Sequence, residues 1–209
     1  MSELIIAIDG PAGSGKSTVA RAVAATLGWS FLDTGAMYRS ICVEAARQNV
    51  SIRNEEAISA LAERSIIRVG SRVLINDVDV TEAIRTDRVN HDVSLVATYP
   101  FVRSAMVDRQ REFADGASVG TVVEGRDIAT VVFPNATLKI FLTASLEERG
   151  RRRGTEGIES IQRRDEIDQN RETSPLRRPV DARLIDTTDR SVEEIVKEVV
   201  SCLESLPLK

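Results

Sequence analysis

The chain is predicted to be an α/β protein, a five-stranded, doubly wound parallel sheet flanked by helices. Three observations carry that expectation. Five short apolar runs alternate with helix-length segments, as parallel strands joined by crossover helices do. A glycine-rich loop follows the first run and opens the first helix. Polar or charged residues sit at or just after the ends of these runs (Asp9, Asp33, Glu124, Arg126, Asp127, Asp186), and ligands of such sheets bind at the carboxyl edge.

In chain order, Leu4-Ile5-Ile6-Ala7-Ile8-Asp9 is the first buried run, and Val19, Val23 and Leu27 follow the loop at helical spacing, with Gly28 as a natural stop. Trp29 to Asp33 reads as the second strand. Thr34-Gly35 is expected to turn it into a helix from about Ala36 to Gln48, which Asn49 ends. Asn54 before Glu55-Glu56 looks like an N-cap with an acidic first turn, opening a helix toward Arg64. The rhythm then changes. Ile66–Val69, Arg72–Ile75 and Val78–Val80, separated by Gly70-Ser71 and Asn76-Asp77, have hairpin syntax and predict a small antiparallel insertion outside the main sheet. Two helices are expected over Thr86–Thr98 and Pro100–Ala114, the second with proline at its first position. Gly120–Glu124, Ala136–Leu142 and Arg183–Asp186 complete the sheet. Ser145 with Glu148, and Ser191 with Glu194, read as capping boxes for the helices that follow.

At 209 residues, with 42% hydrophobic and 29% charged residues, the chain is expected to form one domain, or one with insertions. A net charge of −4 gives no general attraction to nucleic acid or anionic membrane. Cys42 and Cys202 lie far apart without metal-ligand spacing, as small buried groups in a reducing cytoplasm would. No run is long enough to span a bilayer, and the N-terminal one is too short for a signal peptide. His91 is the only histidine and is expected on a solvated helix face, so His-pair metal sites and Ser-His-Asp chemistry lack parts.

The loop itself, Gly10-Pro11-Ala12-Gly13-Ser14-Gly15-Lys16-Ser17-Thr18, fits G-x-x-x-x-G-K-[ST], the P-loop. Glycines let its backbone N–H groups close on a polyphosphate, and the dipole of the following helix adds to them. Lys16 is placed to reach the β- and γ-phosphates of ATP, and the Ser17 hydroxyl to ligate Mg²⁺. Switches, motors and kinases all use such loops. The N-K-x-D and D-x-x-G of a guanine-specific switch do not occur, and no strand ends in the Asp-Glu pair of a motor. Arginine is abundant instead, 24 of the 28 basic residues. Arg39, Arg103, Arg126, Arg149, Arg151–Arg153, Arg163, Arg164 and Arg171 fall at loop sites. Phosphoryl transfer between two anions needs such groups. The cluster at Arg149–Arg153 runs into Gly154-Thr155-Glu156-Gly157, which suits a mobile lid. Three consecutive arginines point in three directions, so at least one is expected to turn inward.

These residues resemble bacterial cytidylate kinases. The resemblance rests on Asp9–Ser17, Leu32-Asp33-Thr34-Gly35-Ala36-Met37-Tyr38-Arg39, Glu124-Gly125-Arg126-Asp127-Ile128, Thr130–Pro134, Arg164-Asp165-x-x-Asp168-x-x-Arg171 and Ile185-Asp186-Thr187-Thr188, in that order. It implies a P-loop NTPase fold with a β insertion in an acceptor-binding domain and a short arginine-rich lid. The division would be core over 1–33, acceptor domain over 34–118 with its insertion at about 66–80, core over 119–148, lid over 149–171 and core over 172–209. It implies transfer of phosphate from ATP to CMP or dCMP, with Lys16, Arg126, Arg149 and Arg153 in the catalytic role. Thr34, Tyr38, Arg39, Arg126, Arg164, Asp168 and Arg171 would hold the monophosphate and sugar, and Ser94, Arg103 and Asp127 would read cytosine. The chemistry agrees for that trio: cytosine offers an amino donor beside two acceptors, which a carboxylate, an arginine and a hydroxyl complement. The stretch between Arg153 and Arg163 is shorter than the family pattern. Rival readings are another acceptor (UMP, AMP or a small alcohol) or a regulatory ATP-binding protein. No nucleic acid or membrane partner is expected, and nothing demands more than a monomer.

Overall fold

A computed structural model describes residues 4–154 and 157–207. The chain runs β1 (Leu4–Asp9), α1 (Lys16–Leu27), β2 (Ser30–Asp33), α2 (Thr34–Arg47), α3 (Glu55–Arg64), β3 (Ile67–Val69), β4 (Val73–Ile75), β5 (Val78–Asp79), α4 (Asp87–Val96) and α5 (Pro100–Asp115). It continues as β6 (Gly120–Gly125), β7 (Leu138–Thr143), α6 (Leu146–Arg153), α7 (Gly157–Asn170), β8 (Arg183–Asp186) and α8 (Val192–Glu204).

Five strands form one parallel sheet in the order β2-β6-β1-β7-β8. Successive strand side chains point to opposite faces, and here both faces are apolar, so the sheet separates two cores. Ile5, Ala7, Leu32 and Val123 pack on one side with α2–α5 and the insertion. Ile6, Ile8, Val122 and Ile140 pack on the other with Val19 and Val23 of α1 and with Ile195, Val199 and Leu203 of α8. The second sheet is the expected antiparallel insertion, β3-β4-β5.

Local chemistry explains most element ends. Gly28 stops α1 at φ 66°, Asn54 Oδ1 accepts from Ala57 N–H to open α3, and Ser191 and Glu194 form a complete capping box. Two expectations need correction. There is no turn at Thr34-Gly35: the Asp33 carboxylate accepts from Ala36 N–H at 2.8 Å, so α2 starts directly at Thr34. At α6 only half of a capping box forms. Ser145 Oγ accepts from Glu148 N–H, but Ser145 N–H goes to Thr188 Oγ1, and the Glu148 carboxylate is taken by Arg151 and Arg152. The stretch expected to form the lid includes the end of α6 and all of α7; Thr155 and Glu156 lie outside the described residues. His91 is exposed on α4, as expected.

Candidate active site

The glycine loop leaves β1 at the carboxyl edge of the sheet. At Gly10 (φ 151°) a Cβ would stand 2.1 Å from the Leu142 carbonyl oxygen, so only glycine lets the loop cross β7 here. Gly13 and Gly15 also take positive φ, 77° and 88°. Lys16 is buried and donates from Nζ to Pro11 O at 2.8 Å. Burial, with Arg126 adding repulsion, pushes its ammonium down to about 7. Ser17 Oγ donates to Glu124 Oε1 at 2.5 Å, and burial next to Asp33 pushes the Glu124 carboxyl up to about 7. Asp9, wholly buried, is likewise pushed up to about 7 by burial, although it accepts from Ile128 N–H and Ala129 N–H.

Beside Lys16 lies a cleft of about 640 Å³, and residues from distant parts of the chain meet in it. Lys16, Ser17, Thr34, Tyr38, Arg39, Ser94, Arg103, Arg126, Asp127, Arg153, Arg164, Asp168 and Arg171 all line it. Arg149 does not. It turns under the loop, donating to Ala12 O at 3.1 Å and pairing with Asp165, which also accepts from Ala12 N–H at 2.9 Å. Of the three consecutive arginines, Arg151 points to solvent, Arg152 reaches Thr187 and Arg153 faces the cleft. Gly15 and Thr18 open instead onto a second hollow of about 760 Å³, walled by Arg152, Thr187, Arg190 and the start of α8.

Carboxylates offset only part of the cleft's positive charge. Arg103 pairs with Asp127 and lies 5.7 Å over the Tyr38 ring. Arg126 reaches Asp168 at 3.2 Å and Gly10 O at 3.0 Å, and Arg171 bonds Ser174 O at 2.8 Å. Burial pushes Asp127 up, against the pull of Arg103 and Arg171. Burial would also raise Asp33, but Arg39 and Arg85 outweigh it and hold the carboxyl below its usual range. The Nε groups of Arg39, Arg103 and Arg171 are buried with no acceptor. Leaving such donors unpaired is costly, and an anionic ligand would relieve it. The oxygens beside Lys16 that could ligate Mg²⁺ are the Ser17 hydroxyl and the Glu124 carboxylate to which it donates. Among the described residues no cluster of three or more His, Cys, Asp or Glu could cage a metal alone.

Residue-level reading missed three features. Thr187 Oγ1 donates to Ser14 O at 3.1 Å and accepts from Arg152, tying loop to lid. Asp165 holds both the loop and Arg149, and its i,i+3 spacing to Asp168 was the available signal. Arg85, from the turn after the insertion, pairs with Asp33 at 3.4 Å.

A glycine loop with a buried lysine at the edge of a parallel sheet, facing an arginine-walled cleft, defines a kinase of the P-loop class. Solved structures with the same fold include TT1252 from Thermus thermophilus (TM-score 0.56, 20% identity, 100% of both chains covered) and shikimate kinase from Acinetobacter baumannii (TM-score 0.51, 15% identity, 100% of this chain and 97% of that one). The family model for cytidylate kinase matches residues 6–205, and the chain belongs to that family. It is 48% identical to the cytidylate kinase of Caldanaerobacter subterraneus subsp. tengcongensis over 95% of this chain and 93% of the relative. Identity to that of Bacillus subtilis is 45%, over 97% of each. Among the described residues no helix is long and apolar enough to cross a membrane.

Proposed function

We propose that the chain transfers the γ-phosphoryl group of ATP to CMP and dCMP, giving the diphosphates and ADP, as a cytoplasmic monomer. The observation that carries this reading is the Arg103–Asp127 pair, buried in the same cleft as Lys16. Asp127 accepts from the cytosine amino group, Arg103 donates to the ring acceptors, and Ser94 supplies a hydroxyl. Uracil carries a carbonyl where the amino group would be, and an ionised Asp127 repels it.

Arg39, Arg126 and Arg171 clamp the acceptor phosphate, with Thr34 and Tyr38 at its flank, and Arg164 and Asp168 hold the sugar side. An acceptor phosphate oxygen attacks the γ-phosphorus, one P–O bond forms, and the bond to the bridging oxygen of ADP breaks. The attacking oxygen is already ionised at neutral pH, so no general base is assigned. Lys16 and Arg153 stabilise charge on the transferring group, while Arg149 braces the loop that cradles the donor. Ser17 would hold Mg²⁺, which would supply further charge neutralisation. Positioning and preorganised charge do most of the work, and α6 over the loop keeps water from the donor.

A coupled ADP-release assay with ATP and CMP, dCMP, UMP, AMP or GMP tests this. Turnover is expected with CMP and dCMP. A preference for UMP overturns the base assignment, and ATP hydrolysis indifferent to CMP overturns the kinase reading in favour of a regulatory ATP-binding protein.

A further inference from the structure

Asp9 is a buried carboxylate with no part in the mechanism above. It ends β1, one residue before the glycine loop, and none of its surface reaches solvent. A buried carboxylate is costly, so its partners matter. Oδ1 accepts from Ile128 N–H at 2.9 Å and Oδ2 from Ala129 N–H at 2.8 Å. Both amides belong to the turn that begins at Asp127.

That turn is unusually wide. Val132 N–H reaches back to Asp127 O at 3.3 Å and Phe133 N–H to Ile128 O at 2.7 Å, an i→i+5 pattern that is found mostly at functional sites. It is held at both ends. Asp9 takes the first two free amides; at the far end Arg111 of α5 donates to Val131 O and Val132 O, each at 3.1 Å. Ile128, Ala129 and Val132 are buried between. The helix that supplies Arg111 also supplies Arg103, the partner of Asp127. Two bonds to two different oxygens fix both the tilt and the rotation of the turn, and hence the direction in which Asp127 leaves it. Asparagine could satisfy only one amide and would turn its NH₂ against the other.

We propose that Asp9 is a positioning residue for acceptor selectivity: from the end of the strand that launches the donor loop, its two-oxygen grip on Ile128 and Ala129 aims Asp127 at the acceptor base. The inference rests on the proposed role of Asp127, and deepens it by joining the strand that launches the donor loop to the group that selects the acceptor.

The test is steady-state kinetics of Asp9→Asn with ATP against CMP and UMP. KM for CMP is expected to rise about tenfold, the effect of losing one buried charge-assisted hydrogen bond. The CMP-over-UMP preference should shrink by a similar factor, with KM for ATP changed less than about twofold. Equal rises for ATP and CMP, a rise for ATP alone, no change, or a rise for CMP with selectivity intact each overturn the proposal. If Asp9→Asn does not fold, Ala129→Pro removes one donor and leaves the carboxylate in place; the same split supports the proposal and any other pattern overturns it. A wild-type chain without preference for CMP overturns the base assignment itself, and this inference with it.

Discussion

The two halves of the site are built on opposite plans. The donor loop is one contiguous segment, Gly10–Thr18, shaped by backbone: positive-φ glycines, a helix start and a carbonyl of β7 pressed against Gly10. The cleft proposed for the acceptor is assembled from side chains of α2, α4, α5, α6 and α7 and of the β6 end, and four of its arginines, Arg39, Arg103, Arg126 and Arg171, pair with Asp33, Asp127 or Asp168. A backbone cradle suits a polyphosphate, whose recognition needs many equivalent N–H donors. A side-chain cleft suits a ligand that must be told from close relatives, because each unmet polar group penalises the wrong one.

Substitutions should therefore act differently in the two halves. The largest effect is expected from Gly10→Ala, where the new methyl meets the Leu142 carbonyl at 2.1 Å and β7 must move. A stability loss of about 3 kcal/mol or more, with loss of turnover, should appear in urea melts and the coupled assay. Arg126→Ala comes next. It removes the partner that reaches both Asp168 and Gly10 O, so kcat/KM should fall about a hundredfold or more, with CMP binding weakened more than ATP binding. Arg126→Lys should recover only part, since an ammonium cannot reproduce the fork. Equal loss of ATP affinity would show that the halves are not separable in this way.

A smaller effect comes from pH. Asp9 and Glu124 are raised from ordinary carboxyl values to about 7, and burial raises Asp127 too. Between about 4.5 and about 7 the folded ligand-free chain thus holds protons that the unfolded chain has released. Stability falls as pH rises through that window. Asp33, held low by its arginines, adds no slope there. Above about 7 the lowered Lys16 reverses the trend, because the unfolded lysine then binds the extra proton. Urea unfolding at pH 5.5 and 7 should show the slope, and Glu124→Gln should flatten it. The smallest effect is expected far from both halves: Asn54→Ala removes the cap of α3, costs about 1 kcal/mol and leaves turnover unchanged.

The same contrast governs what could be read without coordinates. The loop was legible because its nine residues are adjacent, and the strands because β1 and β6 are apolar on both faces. The insertion was legible from its turn residues. Helix α7 was not, and its sequence Gly157–Asn170 shows why. Its inward face carries Arg164, Asp165 and Asp168, which line the cleft or hold the loop, so the apolar stripe that marks an ordinary helix is missing. The start of α2 and the half-formed box at Ser145 were misjudged for a related reason. Asp33 and Glu148 each had more than one suitor, and only the assembled structure decides which one wins.

β1 has one more consequence. It precedes the other strands of its sheet in the chain, yet it lies in the middle of that sheet, and its neighbours begin at Gly120 and Leu138. Such distant pairing is slow to form. During synthesis its apolar residues must wait, without a partner on either edge, until β6 and β7 have emerged. The nucleotide cradle is therefore among the last parts to take shape, and the growing polypeptide is most vulnerable to aggregation before then.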